Sequence, residues 1–196
     1  MEHLGTVRLE TERLVLRRFC PEDIGNSAWA YDQAGYRFIS QSPRTPEDMA
    51  QFLAGADEAY SAPDTYYWAL ERKDTHEVVG EIFVDDYGNR NRWCEVDYQL
   101  GPAFWGWGYA AEALKAVLAF LIGRVGFHRV QAKCSARNIG SLRVMEKAGM
   151  RREGVLRGFF RRKDGPGYDD VVICAILAEE LNLPPEGAAG ASPRQC

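Results

Sequence analysis

Gln99-Leu100-Gly101-Pro102-Ala103-Phe104-Trp105-Gly106-Trp107-Gly108-Tyr109-Ala110-Ala111-Glu112-Ala113 is the stretch on which the reading of this chain turns. Upstream of it, Trp93 to Leu100 alternates. Cys94, Val96, Tyr98 and Leu100 share one face, and Trp93, Glu95, Asp97 and Gln99 the other, which is the period of a strand. Downstream, Ala110, Leu114, Val117, Leu118, Leu121 and Val125 form one stripe at helical period. A strand therefore runs into a turn with glycines two apart and straight on into a helix. Such a turn exposes backbone N–H groups where the helix dipole is positive, which suits a phosphate or pyrophosphate. Glycine permits unusual φ values there and lets a ligand approach the backbone closely. Gly-x-Gly taken alone also describes a purely structural turn. No Gly-Lys-Ser/Thr follows, so this is not a Walker loop, and Ala111 stands where the Rossmann spacing needs its third glycine.

Working outward, Leu14 to Leu16 reads as a first strand and Pro21-Glu22-Asp23 as the start of a helix running toward Tyr31. Residues from Gly35 to Pro43 read as loop. Thr45-Pro46-Glu47-Asp48 is a stronger helix start: Thr as N-cap, Pro in the first turn, acids just inside. Met49, Phe52, Leu53 and Ala56 follow at helical spacing. Tyr66–Glu71 and Val78–Val84 read as strands that join Trp93–Leu100 in an antiparallel meander. After the central helix come a short strand, Val130–Cys134, and a second helix carrying Ile139, Leu142, Met145 and Glu146, with Gly149 as its C-cap. Val155–Phe160 and Val171–Leu177 close the fold as strands. The expectation is an α+β domain over residues 1–183, with one strand–helix–strand unit that is locally parallel. From Pro184 the Pro/Gly/Ala-rich sequence reads as a disordered tail, residues 184–196.

At 196 residues the chain is long enough for one domain with a core. A formal charge of −4, with acids and bases mixed along the chain, argues against nucleic-acid binding as the main task. Cys20, Cys94, Cys134, Cys174 and Cys196 form no CxxC pair, and no His lies near them at zinc spacing, so no metal is expected. An odd cysteine count without a signal peptide points to a reduced, cytoplasmic protein. No segment approaches the ~20 apolar residues of a membrane span. Apolar strand edges near the C-terminus leave room for a homodimer.

Trp105-Gly106-Trp107-Gly108-Tyr109-Ala110-Ala111-Glu112-Ala113, coming after Tyr98-Gln99-Leu100, resembles the coenzyme A loop of the GNAT acetyltransferases, most closely the RimJ/RimL-like branch. A second block, Asn138-Ile139-Gly140-Ser141-Leu142-Arg143-Val144-Met145-Glu146-Lys147-Ala148-Gly149-Met150, and the opening Thr11-Glu12-Arg13-Leu14-Val15-Leu16-Arg17 resemble the same branch. The resemblance spans roughly residues 10 to 181, and two blocks in the right order are far more specific than either alone. It implies the GNAT fold: a mixed, mostly antiparallel twisted sheet flanked by helices, with a splayed central strand pair. It also implies acetyl-CoA seated where Trp93–Leu100 splays from Arg129–Ser135. On that reading the backbone of Tyr98, Gln99 and Leu100 pairs with the pantetheine arm. The N–H groups of Trp105, Gly106, Trp107, Gly108, Tyr109 and Ala110 hold the pyrophosphate, Asn138 bonds the pantetheine region, and Arg143 reaches a phosphate. Two departures stand out. Trp105 occupies a position that is Gln or Arg in much of the superfamily, and Met145 occupies one where many relatives have a Tyr acid, so Ser141 or water must serve the leaving thiolate.

The implied reaction is direct attack of a neutral amine on the thioester, the amine belonging to a protein N-terminus or a small molecule. Thiolate leaves well, so positioning carries much of the catalysis. Glu95 and Asp97 lie one pleat apart on one strand face, on the order of 7 Å, where either can receive the amine proton or orient a cationic acceptor. The same pattern describes a solvated polar face. Ser141 can donate to the coenzyme sulfur or act as a local helix cap, and Asn138 has the same two options. His3, His76 and His128 carry no catalytic expectation. Trp29, Phe38, Tyr66, Tyr67, Trp68 and Trp93 read as core, with some left to line an acceptor pocket. Two rival readings remain: a non-catalytic acyl-CoA-binding module, and an ATP or NAD binder of another fold.

Overall fold

Period-two and period-3.6 patterning resolve into eight strands and three α-helices among the described residues, which in this computed structural model are 1–39 and 44–181. The expected tail, Cys196 and residues 40–43 of the expected loop lie outside them. The strands are β1 (Leu9–Glu10), β2 (Leu14–Arg17), β3 (Tyr67–Arg72), β4 (Val78–Gly88), β5 (Trp93–Leu100), β6 (Arg129–Ser135), β7 (Arg151–Arg161) and β8 (Tyr168–Leu177). They form one sheet in the order β1-β2-β3-β4-β5-β6-β8-β7. Only the β5–β6 pair is parallel, joined by the crossover through α2 (Tyr109–Phe120), which runs on as a π turn to Val125. β7 is the sheet's outer edge, with Val155, Leu156 and Phe159 exposed.

The α2 stripe explains the main core. Leu114, Val117, Leu118, Leu121 and Val125 are buried against Cys94 and Val96 of β5 and Val130, Ala132 and Cys134 of β6. Gly126 ends the helix at φ +91°, and Gly149 ends α3 (Ile139–Lys147) at φ +94°, the left-handed conformation that favours glycine. Covering the sheet's other face, α1 (Pro46–Ser61) starts with the expected cap. Thr45 Oγ1 accepts from the Asp48 N–H (3.1 Å), and the Asp48 carboxylate accepts from the Thr45 N–H (2.8 Å). Its Met49 and Leu53 pack with Phe19, Trp29, Ala69 and Val78.

One expected element is different. The helix from Pro21 toward Tyr31 is a chain of single 3-10 turns at Pro21–Ile24, Ala28–Tyr31 and Gln33–Tyr36. The Asp23 carboxylate accepts from the Cys20 N–H (2.9 Å) and from both Arg17 Nη atoms (2.8 Å each), pinning a tight turn in place of a propagating helix. Among the described residues no helix is long and apolar enough to cross a membrane.

Candidate active site

The splay is visible in the register. β5 pairs with β6 only through Trp93↔Arg129, Cys94↔Val130 and Glu95↔Gln131. From Val96 onward β5 keeps its β4 partner, Ile82 facing Tyr98 and Glu81 facing Gln99, but has none on its β6 side. Backbone groups along Tyr98–Leu100 therefore border a gap.

Beyond the gap the chain turns at Pro102–Phe104, and the Trp105 indole N–H donates to the Leu100 carbonyl (2.9 Å). Trp105 thus pins the loop to the end of β5, and its backbone N–H, expected to face the pyrophosphate, instead donates to the Pro102 carbonyl (3.2 Å), so its role is structural. Gly106 and Gly108 stand at φ +83° and +86°, and Gly108 is the N-cap of α2. Among the described residues the backbone N–H groups of Gly106, Trp107, Gly108, Tyr109, Ala110 and Ala111 make no hydrogen bond; the first that does is Glu112, to the Gly108 carbonyl (3.1 Å). These groups stand at a helix N-terminus, and a Cβ at Gly106 would meet nothing within 4 Å, so the cradle is open. The residues present fit a pyrophosphate.

The Thr11–Arg13 block holds this cradle. Glu112 in the first turn of α2 accepts from Thr11 Oγ1 (2.6 Å), the Arg13 N–H (2.8 Å) and Arg13 Nε (2.8 Å). Although burial works against ionisation, these donors hold its carboxyl below the usual glutamate range. Arg13 also donates to the Trp107 carbonyl (2.9 Å) and stacks over Tyr109, 4.7 Å from the ring centre. Beside Gly108 lies an open hollow of about 360 Å³ lined by Arg13, Lys115 and Lys147 along with Glu12, Ala111 and Glu112. Sequence reasoning did not single out Lys115 and Lys147 as binding groups; they converge only because α2 and α3 pack together.

On the same side of the sheet, α3 brings Asn138 and Ser141 to the gap. Asn138 Oδ1 accepts from the Ser141 N–H (3.1 Å), so the side chain is a cap, while its Nδ2 has no partner among the described residues. Ser141 Oγ lies 2.7 Å from the Tyr98 hydroxyl. Met145 is fully buried in the core, away from any acid role. Arg143 is exposed, with no ion-pair partner among the described residues.

Glu95 and Asp97 share the opposite face, but it is not a solvated one. Glu95 is only 5% exposed. It is ion-paired with Lys133 and accepts from Gln131 Nε2 (2.8 Å), both on β6. The Asp97 carboxylate makes no hydrogen bond among the described residues. Its carboxyl is pushed up to about 6, first by burial and then by the charges of Glu95 and Asp85, with Lys133 opposing. Carboxylate oxygens of Asp85, Glu95 and Asp97 all lie within 4.8 Å of one another. Asp85 is the extra residue of a bulge in β4, between Val84↔Val96 and Asp86↔Glu95. Lys133 and Asp85 also escaped the sequence reading. The signal for Lys133 was the alternation Arg129, Gln131, Lys133 against Val130, Ala132, Cys134; no pattern gives the bulge.

Comparison with known proteins identifies the family and the fold. A family model described as an acetyltransferase (GNAT) domain matches residues 13–151. The uncharacterized N-acetyltransferase YnaD of Bacillus subtilis is 31% identical over 182 residues, covering 90% of this chain and all of the relative. A GNAT-family acetyltransferase from Bacillus anthracis superposes with a TM-score of 0.76 at 28% identity, covering 88% of this chain and 99% of that one. RimL, a ribosomal L7/L12 alpha-N-protein acetyltransferase solved with coenzyme A, shares the fold with a TM-score of 0.76 at 16% identity, over 87% of this chain and 97% of its own.

Proposed function

The chain belongs to the GNAT acetyltransferase family and is an acetyl-CoA-dependent acetyltransferase, and from that premise we propose that it acetylates a primary amine by direct attack in a ternary complex. The observation that carries this reading is the row of unpaired N–H groups from Gly106 to Ala111 opening beside the β5–β6 gap, with an unpaired carboxylate at the gap's far side. The N–H groups of Gly106 to Ala111 would hold the pyrophosphate, with Lys115, Lys147 and Arg143 available to further phosphate. Asn138 Nδ2 and the backbone of Tyr98, Gln99 and Leu100 would hold the pantetheine arm. When bound, acetyl-CoA supplies an activated acetyl thioester.

The chain's own groups then divide the work. Asp97 takes the proton of the attacking amine, through water or directly. Its raised pKa places it near the operating pH, where a general base is most effective. Glu95 is held by Lys133 and Gln131, so it supplies fixed charge and not a free base. With Asp85, the pair leaves this face net negative, which favours a cationic acceptor: an N-terminal α-amine or a small-molecule amine. Ser141 donates a hydrogen bond to the sulfur.

The test has two stages. Acetyl-CoA and coenzyme A, but not ATP or NAD, should raise the melting temperature. A ligand at about 100 times its Kd adds about 2.7 kcal/mol, a shift of several degrees in a domain of this size. A panel of N-terminal peptides, diamines and polyamines should then show turnover that falls at least about 100-fold in Asp97→Asn. No coenzyme shift, or a panel with no acceptor, sinks the reading.

A further inference from the structure

Tyr98 and Ser141 meet across the gap. The phenol oxygen lies 2.7 Å from Ser141 Oγ and donates toward the Ser141 carbonyl oxygen at 3.1 Å. Tyr98 reaches there from β5, while Ser141 sits in the first turn of α3 with its N–H fixed by Asn138. Each hydroxyl carries one proton and can donate once. When the phenol donates to the carbonyl, the serine proton is engaged by the phenol oxygen. When the phenol donates to Oγ, the serine proton leaves the phenol oxygen and can point at a third group, the neighbouring Cys134 sulfur or an incoming one. Burial pushes the Tyr98 phenol well above its ordinary value, so it keeps its proton in both arrangements. The titratable groups facing the pair are Cys134 on β6 and Cys174 on β8, with Asp97 next to Tyr98 on the other face of β5. Burial raises both thiols, Cys134 to about 11, so neither is anionic near neutral pH.

We propose that Tyr98 is a positioning residue whose hydroxyl donates to Ser141 Oγ and so turns the serine proton toward the sulfur of coenzyme A. This rests on the acetyltransferase reading, in which Ser141 meets the leaving sulfur, and adds the residue that aims the serine proton. Negative charge on that sulfur favours the second arrangement, because a charge-assisted hydrogen bond is about twice as strong as a neutral one. Both hydroxyls keep their protons; only the direction of the hydrogen bonds changes.

The experiment compares binding of coenzyme A and of desulfo-coenzyme A by calorimetry, under reductant, from about pH 6 to about pH 9.5, a range that brackets ordinary thiol titration. In the wild type, coenzyme A should gain on its desulfo analogue as pH rises. Tyr98→Phe should cut that gain by about tenfold, read as the ratio of the two ligands' affinities so that any change common to both cancels, the size of one charged hydrogen bond. Ser141→Ala should lose the same gain, and the double variant no more. If Tyr98→Phe leaves the gain intact, or weakens both ligands equally at every pH, the proposal is wrong. Absence of binding by either ligand to the wild type overturns the coenzyme reading itself, and this proposal with it.

Discussion

Lys133→Met removes the cation that stands against three carboxylates, and its consequences have opposite signs from those of Glu95→Gln. In the wild type the Lys133 side chain is 26% exposed and its Glu95 partner 7%. Losing one partner of a buried pair costs about 3–5 kcal/mol. Gln131 still donates to Glu95, and Lys133 is partly solvated, so a loss below that range, about 2–3 kcal/mol, is expected at neutral pH. At about 2–4 °C per kcal/mol this lowers the melting temperature by about 4–12 °C. The functional effect is sharper. Lys133 holds the Asp97 carboxyl down, against burial and the charges of Glu95 and Asp85. Without the cation, Asp97 titrates above its value of about 6, by about one unit, which is about 1.4 kcal/mol of interaction. The acid limb of kcat/KM therefore moves up in pH. Glu95→Gln removes a charge that pushes Asp97 up, so its acid limb moves down. The assay is the pH dependence of kcat/KM from about pH 5 to about pH 9 for the wild type and both variants, with a good acceptor from the panel. Limbs that stay together, or move in the same direction, refute the assignment of Asp97 as the group whose ionisation controls attack.

Other perturbations separate stability from chemistry. The folded-state pKa of Asp97 is raised, so its ionised form is disfavoured in the fold and stability is lost as pH rises from the ordinary aspartate value of 3.8 through about 6. Asp97→Asn should thus raise the melting temperature at pH 8 by up to the equivalent of about 3 kcal/mol and by about half that at pH 5, measured by calorimetry, while reducing turnover. Gly108→Asp should abolish the coenzyme-induced melting shift. The residue sits at φ +86°, where a side chain is strained by about 1–2 kcal/mol, and its carboxylate would face the pyrophosphate site. Arg44→Met should destabilise the fold by about 3–5 kcal/mol in denaturant titration, because it leaves Glu81 buried without the guanidinium that donates to both its oxygens (2.9 and 3.3 Å).

The sequence made the strand–turn–helix of the central segment legible because each part has a distinct period. Glycine at positive φ was readable for the same reason: only a local backbone demand explains Gly106 and Gly108 in so exposed a turn. The fold family was legible from ordered blocks, and the structure explains one link between them: Thr11 and Arg13 clamp Glu112. The Pro21 segment was misread because a cap signal says where a helix begins and not how far it propagates; the Asp23–Arg17 pairing, made across the chain's own turn, stops it. Glu95 looked like half of an exposed acidic pair because alternation reports a face and not what covers it. Its burial depends on Gln131 and Lys133, 36 and 38 residues away and brought alongside only by the parallel pairing. Asp85 depends on a bulge, which inserts a residue without any compositional mark.

Successive residues of a strand point to opposite sides of the sheet, and Asp97 and Tyr98 are successive. Asp97 stands with Asp85 and Glu95 on one face, and Tyr98 reaches Ser141 and α3 on the other. In a continuous sheet those two environments would be sealed from each other by the backbone ladder. Here the ladder between β5 and β6 ends at Glu95↔Gln131, two residues before Asp97, so the gap joins them. A carboxylate kept partly protonated by burial can then work on one side of a reacting thioester while a neutral hydroxyl pair meets the sulfur on the other. The separation also explains why the two ends need different chemistry. The amine's proton must be taken by a group that ionises near neutral pH, which the crowded acidic face provides. Sulfur leaving as thiolate needs only a well-aimed donor, which an uncharged tyrosine–serine pair supplies without adding a buried charge.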